Sequence, residues 1–465
     1  MSTSSNGVKW LWEAEKYVQD YHEAFLKGTR MGLFEITFNT DVPIQHNQFH
    51  QVLQHLIRKS PPLQICLQNR DGTPWLSQPS DLEIDFEVMD TDAPIREVIY
   101  QSFRDGYPGP KFTQWKTKLI PRSPDTPCPL PEVKEKFPYQ YDLMFTGHHG
   151  WMDGIDAVQL LSAMMLILND VIGGKEVSDE VLGSFSRNIE LLKISEKIKK
   201  NFELYPDRFE EVKRTLPKCD RKPYLFQAFP PPKVPNPTSK HITRVIDAEI
   251  LKNFLEKSKE AGVTFNTSFM GVIIAAIVEM VKQKGVVHDT YTIASILQAN
   301  LRRYLKPSCS HHVFGLYSSL MSYTLNVDKN VMDSFWNHCR TINTELKQLL
   351  KQGFPLEQRV CRELVEVDLP ATDYQTIVRP AVHDFSITNL GDVSQFIPSV
   401  TEHVQLTNVA SLNFIHNFVH SNFHEIATFR GRSYYTLTYA TNYFTDETAH
   451  LLIDTVISVL KIMSK

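Results

Sequence analysis

Eight consecutive residues, Gly147-His148-His149-Gly150-Trp151-Met152-Asp153-Gly154, bring two imidazoles and a carboxylate together among flexible glycines. An imidazole titrates near neutrality, so a neutral His149 can take the proton of a hydroxyl or amine as that group attacks. An alcohol is far too weak an acid to attack a thioester without such a base. The thioester itself is already activated, so no covalent intermediate is required and His149 needs no nucleophilic Ser or Cys beside it. Asp153, four residues on, falls at the start of a helix, where the macrodipole favours a carboxylate. A metal site built from His148, His149 and Asp153 lacks an HExxH run, a third clustered His and any Cys ligand, so no metal is expected.

These residues need a strand before them and a helix after them. Residues 140–148 read as a strand with Tyr141, Leu143 and Phe145 on one face. Residues 154–172 read as a helix carrying Ile155, Val158, Leu161, Met165 and Leu168. The Gly-His-His-Gly turn between them presents one imidazole while the helix start tethers the carboxylate. His148 is expected to support the loop by hydrogen bonding, and Trp151 to pack in the core.

Elsewhere, residues 9–27 read as a helix bearing Trp10, Trp12, Tyr17, Tyr21 and Phe25. Strands are expected at 31–38, 63–69, 239–247, 291–298, 319–326, 383–388, 410–418 and 433–440. Helices are expected at 47–58, 95–103, 250–260, 267–284, 333–351 and 445–462. The basic run 193–200 is interleaved with Glu and apolar residues and reads as the wet side of a helix. Seven prolines crowd residues 216–240, which cannot be a helix or a central strand. The expected division is therefore an N-terminal lobe at 1–215, a Pro-rich crossover at 216–240 and a C-terminal lobe at 241–465. Strands and helices mix in both halves without strict alternation, which indicates α+β with mixed sheets.

The 465 residues suit two lobes of roughly 200 residues each. A 42% apolar and 22% charged composition excludes disordered and fibrous classes. The net charge of −4 and the lack of a basic stripe exclude nucleic acid as an expected partner. Six scattered cysteines (Cys66, Cys128, Cys219, Cys309, Cys339, Cys361) form no CxxC pair and read as reduced thiols. The N-terminus shows no basic and apolar leader, and the longest near-apolar window, 270–281, is short of the roughly 20 residues of a membrane span. A cytoplasmic monomer without a membrane anchor is expected.

The run Gly147 to Gly154 resembles the HHxxxDG signature shared by peptide-synthetase condensation domains, alcohol O-acetyltransferases, polyketide-associated acyltransferases and, as HxxxD, the plant BAHD enzymes. Weaker matches follow in the family's order. Thr264-Phe265-Asn266 resembles its T-x-N entry to an apolar helix, and Asn300-Leu301-Arg302 with Pro307 and Phe314-Gly315 resembles its N-x-R … P … F-G stretch. Thr388-Asn389-Leu390-Gly391 resembles its S-N-x-G turn, and 439–460 the closing strand and helix. The resemblance implies two chloramphenicol-acetyltransferase-like lobes with an active-site tunnel between them. It implies His149 as general base, approached by an acyl-CoA thioester from one side and the acceptor from the other. It implies that Asp153 points away from substrate and holds the loop by pairing with an Arg. Arg302 is the candidate partner, the alternative being a surface residue beside Arg303. His148, Gly154, Arg302, Thr388 and Asn389 are the supporting residues.

The plant DFGWG motif is absent. Its nearest counterpart is Asp384-Phe385-Ser386-Ile387-Thr388, which favours the alcohol acetyltransferase and condensation-like branches. Thr388 and Asn389 are candidate donors to an oxyanion, but Asn389-Leu390-Gly391 reads first as a chain turn at a strand end. His311-His312 reads as a loop pair, and His416, His420 and His424 as satisfied histidines on one face of a strand-like stretch. The expected activity is transfer of an acyl group, acetyl for preference, from acyl-CoA to the hydroxyl of a small molecule, with no bound cofactor. The alternatives are N-acyl transfer, condensation with a carrier-bound thioester, and non-catalytic binding.

Overall fold

The computed structural model describes residues 7–26, 31–216, 221–306, 313–366, 381–416 and 420–465. Lys27, Pro217, Cys219, Pro307, Cys309 and the pair His311-His312 lie outside them. Up to the first division of the chain the elements are β1 (Val8–Glu13), α1 (Lys16–Leu26), β2 (Met31–Thr40), α2 (His46–Lys59), β3 (Cys66–Arg70), β4 (Thr73–Pro79), β5 (Glu83–Val88), α3 (Ile95–Asp105), β6 (Phe112–Pro121), β7 (Tyr139–His148), α4 (Gly154–Ile172) and β8 (Ser184–Phe185). There follow α5 (Ile189–Leu204), α6 (Pro206–Arg214), α7 (Tyr224–Ala228), β9 (Ser239–Ile246), α8 (Ala248–Glu260), α9 (Phe265–Gln283), β10 (Thr290–Asn300), β11 (Val313–Phe314), β12 (Ser318–Asp328), α10 (Phe335–Lys351), α11 (Phe354–Glu366), β13 (Phe385–Asp392), β14 (Val404–Asn413), β15 (Asn422–Phe429), β16 (Arg432–Ala440) and α12 (Asp446–Met463).

The chain forms two compact units, and their border corrects the expected one. The first unit is Met1–Asn188 with Pro307–Leu316 and Asp392–Asn413, and the second is the remainder. The division therefore falls at Asn188, and the Pro-rich residues 216–240 belong wholly to the second unit. The physical reason is that Leu225 and Phe226, on the short helix α7 within this stretch, are buried in the second unit's core, so it lines that core there.

In the first unit, a five-stranded mixed sheet runs β14-β2-β7-β6-β5 and a small one runs β1-β4-β3. β7 is central, antiparallel to β2 (Met31 opposite His148) and to β6 (Trp115 opposite Gly147). Every β7 residue after Tyr139 is buried, the polar Gln140, Asp142, Thr146 and His148 along with the apolar ones, as befits a central strand covered on both faces. β14 reaches this sheet from far along the chain and pairs with β2 from Val404↔Thr40 to Asn413↔Gly32. That long antiparallel pairing moves the strand expected at 410–418 back to Val404–Asn413.

The helix expected at 9–27 is two elements. Trp10 and Trp12 lie on β1, paired with β4, and only Lys16–Leu26 is helical. The register shifts between Trp10 and Trp12, which pair with the neighbouring residues Ser77 and Leu76, so the two indoles belong to an irregular strand and not to the helix.

The second unit holds a six-stranded sheet, β12-β10-β13-β15-β16-β9, in which β10 and β13 run parallel. α9 packs against α10 and α12, and its Phe269 ring meets Tyr435 of β16 with centroids 5.3 Å apart. α4 and α9 are each 19 residues long and apolar enough to cross a membrane by length and composition, yet 56% and 78% of their most apolar windows are buried in the protein. They are core helices of the two units.

Candidate active site

β7 ends at His148, and the chain turns through Gly150 into α4. The turn is shaped by hydrogen bonds from both imidazoles. His149, half-buried, places Nδ1 2.7 Å from the carbonyl oxygen of Met152. A carbonyl only accepts, so Nδ1 carries the proton and Nε2 of the neutral ring keeps its lone pair. The ring of Tyr21 on α1 lies against His149, centroids 5.4 Å apart at 50°.

His148 is fully buried and stacks on Trp151 at 3.8 Å and 10°. Its Nδ1 accepts the backbone N–H of Gly150 at 2.9 Å, and its Nε2 lies 3.2 Å from Nδ1 of His22. Burial above all, then the neighbouring His22 and His149, push its pKa well below the ordinary value, so the ring is neutral. No second positive charge therefore stands beside His149. Trp151 is buried and donates its indole N–H to the carbonyl of Pro62 at 3.3 Å, as a core residue would.

Asp153 is the N-cap of α4. Its Oδ1 accepts from the backbone of Ile155 (3.1 Å) and Asp156 (3.3 Å), while Asp156 Oδ2 accepts from the backbone N–H of Asp153 at 3.3 Å. This reciprocal capping box satisfies the first amides of α4, whose first residue is Gly154, and fixes the direction of the turn. Asp156 Oδ2 also accepts from Gly315 N–H at 2.8 Å, tying the helix start to the Phe314-Gly315 stretch.

Arg302 belongs to the second unit and is buried, in a single helical turn (Leu301–Tyr304) capped by Asn300, which accepts from Arg302 N–H at 2.9 Å. Its guanidinium lies over the Tyr317 ring, 4.5 Å from the centroid. Thr388 and Asn389 lie on β13, half-buried. Asn389 Oδ1 accepts from Gly391 N–H at 2.8 Å, and Gly391 has φ of +71°, the arrangement of a chain turn. Asp384 is fully buried, ion-paired with Arg221, and accepts from the backbone N–H of Tyr224 (2.8 Å) and Ala294 (2.9 Å).

Of His416, His420 and His424, only His424 lies on a strand, β15. Its Nδ1 lies 2.7 Å from the Tyr435 hydroxyl and its Nε2 2.9 Å from Asn422 Oδ1. His416 bonds Ser239 at 3.0 Å and His420 bonds Ser386 at 2.5 Å, both ahead of β15. They are satisfied, but they do not share one strand with His424. Among the described residues no group of three or more His, Cys, Asp or Glu side chains converges as a metal cage would.

The whole chain superposes on known structures of one kind. The trichothecene 15-O-acetyltransferase of Fusarium sporotrichioides matches with a TM-score of 0.70 at 12% identity, over 100% of this chain and 97% of that one. The condensation domain of the monacolin K polyketide synthase matches with a TM-score of 0.69 at 11% identity, over 99% and 98%. The polyketide synthase associated protein 5 of Mycobacterium tuberculosis matches with a TM-score of 0.66 at 12% identity, over 98% and 99%. The fold of this chain is the one these acetyltransferase and condensation-domain structures have. No protein-family model matches the sequence, and no curated protein sequence does either.

Within the acetyltransferase and condensation-domain fold, three contributors to the turn escaped the sequence reading. Asp156 was legible, since Asp153-Gly-Ile-Asp156 has capping-box spacing before an apolar run. Tyr21 and His22 were not, because nothing local to α1 points to a turn more than a hundred residues away.

Proposed function

We propose that this protein transfers an acyl group, acetyl for preference, from acyl-CoA to the hydroxyl of a small-molecule acceptor, as a cytoplasmic monomer. His149 Nε2 takes the hydroxyl proton as the oxygen attacks the thioester carbon. The C–O bond forms, the tetrahedral oxyanion collapses, the C–S bond breaks, and the imidazolium returns its proton to the departing CoA sulfur. Asp153 holds the loop and is proposed to pair with Arg302, and Thr388 is proposed to donate to the oxyanion. The observation that carries the reading is the His149 Nδ1–H bond to Met152, which leaves the lone pair on the nitrogen that must act as base.

The likeness to condensation domains supports a second reading, in which the donor thioester is carrier-bound or the acceptor is an amine. The test is thiol release and intact-mass analysis with acetyl-, malonyl- and long-chain CoA, and with acyl-carrier donors, against a panel of alcohols and amines. Acceptor-dependent CoA release with an acylated alcohol supports the first reading. Turnover with acyl-carrier donors alone supports the second. No product with any donor, from well-folded protein, would make the chain a binding member of the fold.

A further inference from the structure

We propose that His22 is a positioning residue for the turn that carries His149, acting through His148; the proposal rests on the reading of His149 as the base. Nδ1 of His148 accepts the Gly150 N–H at 2.9 Å, and a ring nitrogen that accepts carries no proton. The neutral ring therefore has its one proton on Nε2, which lies 3.2 Å from Nδ1 of His22. His148 is the donor and His22 the acceptor, so the proton of His22 sits on its own Nε2. The depressed pKa values agree, since burial lowers His22 to about 4 and His148 well below its ordinary value, keeping both rings neutral.

No other arrangement satisfies the pair. Moving the His148 proton to Nδ1 would point it at the Gly150 N–H, donor against donor. The ring cannot turn away, because Trp151 stacks on it at 3.8 Å while Phe25 and His22 close on it at 4.8 and 5.3 Å. Water cannot substitute for His22, because His148 is 0% exposed. One turn of α1 thus touches both imidazoles: His22 fixes the tautomer of His148, and Tyr21 lies against the ring of His149. Losing the His22 acceptor strands a buried N–H, and the cheapest relief is to release Gly150, which lies one residue beyond His149.

The test uses the full chain with two substitutions. His22→Phe keeps a flat ring and deletes the acceptor, and His22→Asn puts an amide oxygen where Nδ1 stood. Nitrogen NMR of imidazole-labelled protein reads the tautomers without any substrate, and acetyl-CoA thiol release with an alcohol acceptor reads turnover. The wild type should show His148 protonated on Nε2 and His149 protonated on Nδ1. His22→Phe should lose the single His149 tautomer and lower kcat about ten- to hundredfold with little change in KM, as expected when one buried donor is left unpaired. His22→Asn should recover most of both. A wild-type His148 protonated on Nδ1 overturns the proposal, whatever the variants do. So does a His22→Phe protein with wild-type kcat and tautomer, or an equal loss in both variants. If His149→Ala is inactive while His22→Phe is normal, this inference fails and the proposed function stands. If no acyl-CoA turns over but the tautomers behave as described, the positioning role is supported and the proposed function fails.

Discussion

A Cβ added to Gly150 would stand 2.7 Å from Cε1 and 2.9 Å from Nδ1 of the His148 ring, on a side chain that is fully buried. The ring cannot retreat, so the turn must. Gly150→Ala is expected to lower acyl transfer by about a hundredfold or more, the scale at which a displaced reacting group loses rate. Gly147→Ala is the contrast. Its Cβ meets the flexible end of Met152 and is otherwise 3.7 Å from Trp115, so activity should fall far less. Steady-state kinetics on the two variants check this.

Asp153 caps α4 through two backbone amides, and replacing an N-cap by Ala costs about 0.5–2 kcal/mol. Asp153→Ala should lose that much stability in urea, and Asp153→Asn much less. The proposed pairing with Arg302 adds a second expectation. In a double-mutant cycle with Arg302→Ala the two changes should be non-additive by about 0.5–3 kcal/mol. Additive losses would remove Arg302 from the role.

Strand β7 and helix α4 stand where the sequence put them, because the alternation of Tyr141, Leu143 and Phe145 and the helical period after Gly154 are both local signals, separated by the Gly-His-His-Gly turn. What could not be read locally was pairing across distance. β14 meets β2 some 370 residues away, and the hydroxyl of Thr407 bonds the carbonyl of Thr37 at 3.1 Å. Trp10 and Trp12 misled for a related reason. The four-residue steps of Tyr17, Tyr21 and Phe25 do mark a helix, but the two indoles two residues apart were carried along with them, and only the partner strand β4 shows that they belong to a sheet. Asn389, with two readings open in the sequence, makes a turn bond to Gly391 that local chemistry had allowed.

Asp384 has no exposed surface and is held by Arg221 and two backbone amides. Removing the cation leaves a buried charge, which costs about 3–5 kcal/mol. Arg221→Met should therefore lower the unfolding midpoint sharply while the folded fraction keeps its specific activity. A variant as stable as wild type would show that Arg221 is dispensable for burying Asp384.

Acid should destabilise the fold well before carboxylates titrate. Burial lowers the pKa of His22 and His416 to about 4 and of His424 to about 3. For a His depressed in the folded state, the unfolded chain takes up the proton first. The stabilisation is complete above the unfolded value of about 6.5 and is lost as pH falls toward the folded value. His424, wholly buried, should alone contribute about 1.4 kcal/mol per pH unit below 6.5. Urea midpoints measured from pH 7 to pH 5 should fall steeply, and more gently in His424→Gln. A flat profile would mean these rings protonate in place.

Acyl transfer by this fold is proposed to need the free Nε2 of His149. Acceptor-dependent release of CoA from acetyl-CoA should drop by about a hundred- to ten-thousandfold in His149→Ala, with circular dichroism and melting temperature unchanged. Release at the wild-type rate from a folded His149→Ala protein would contradict it.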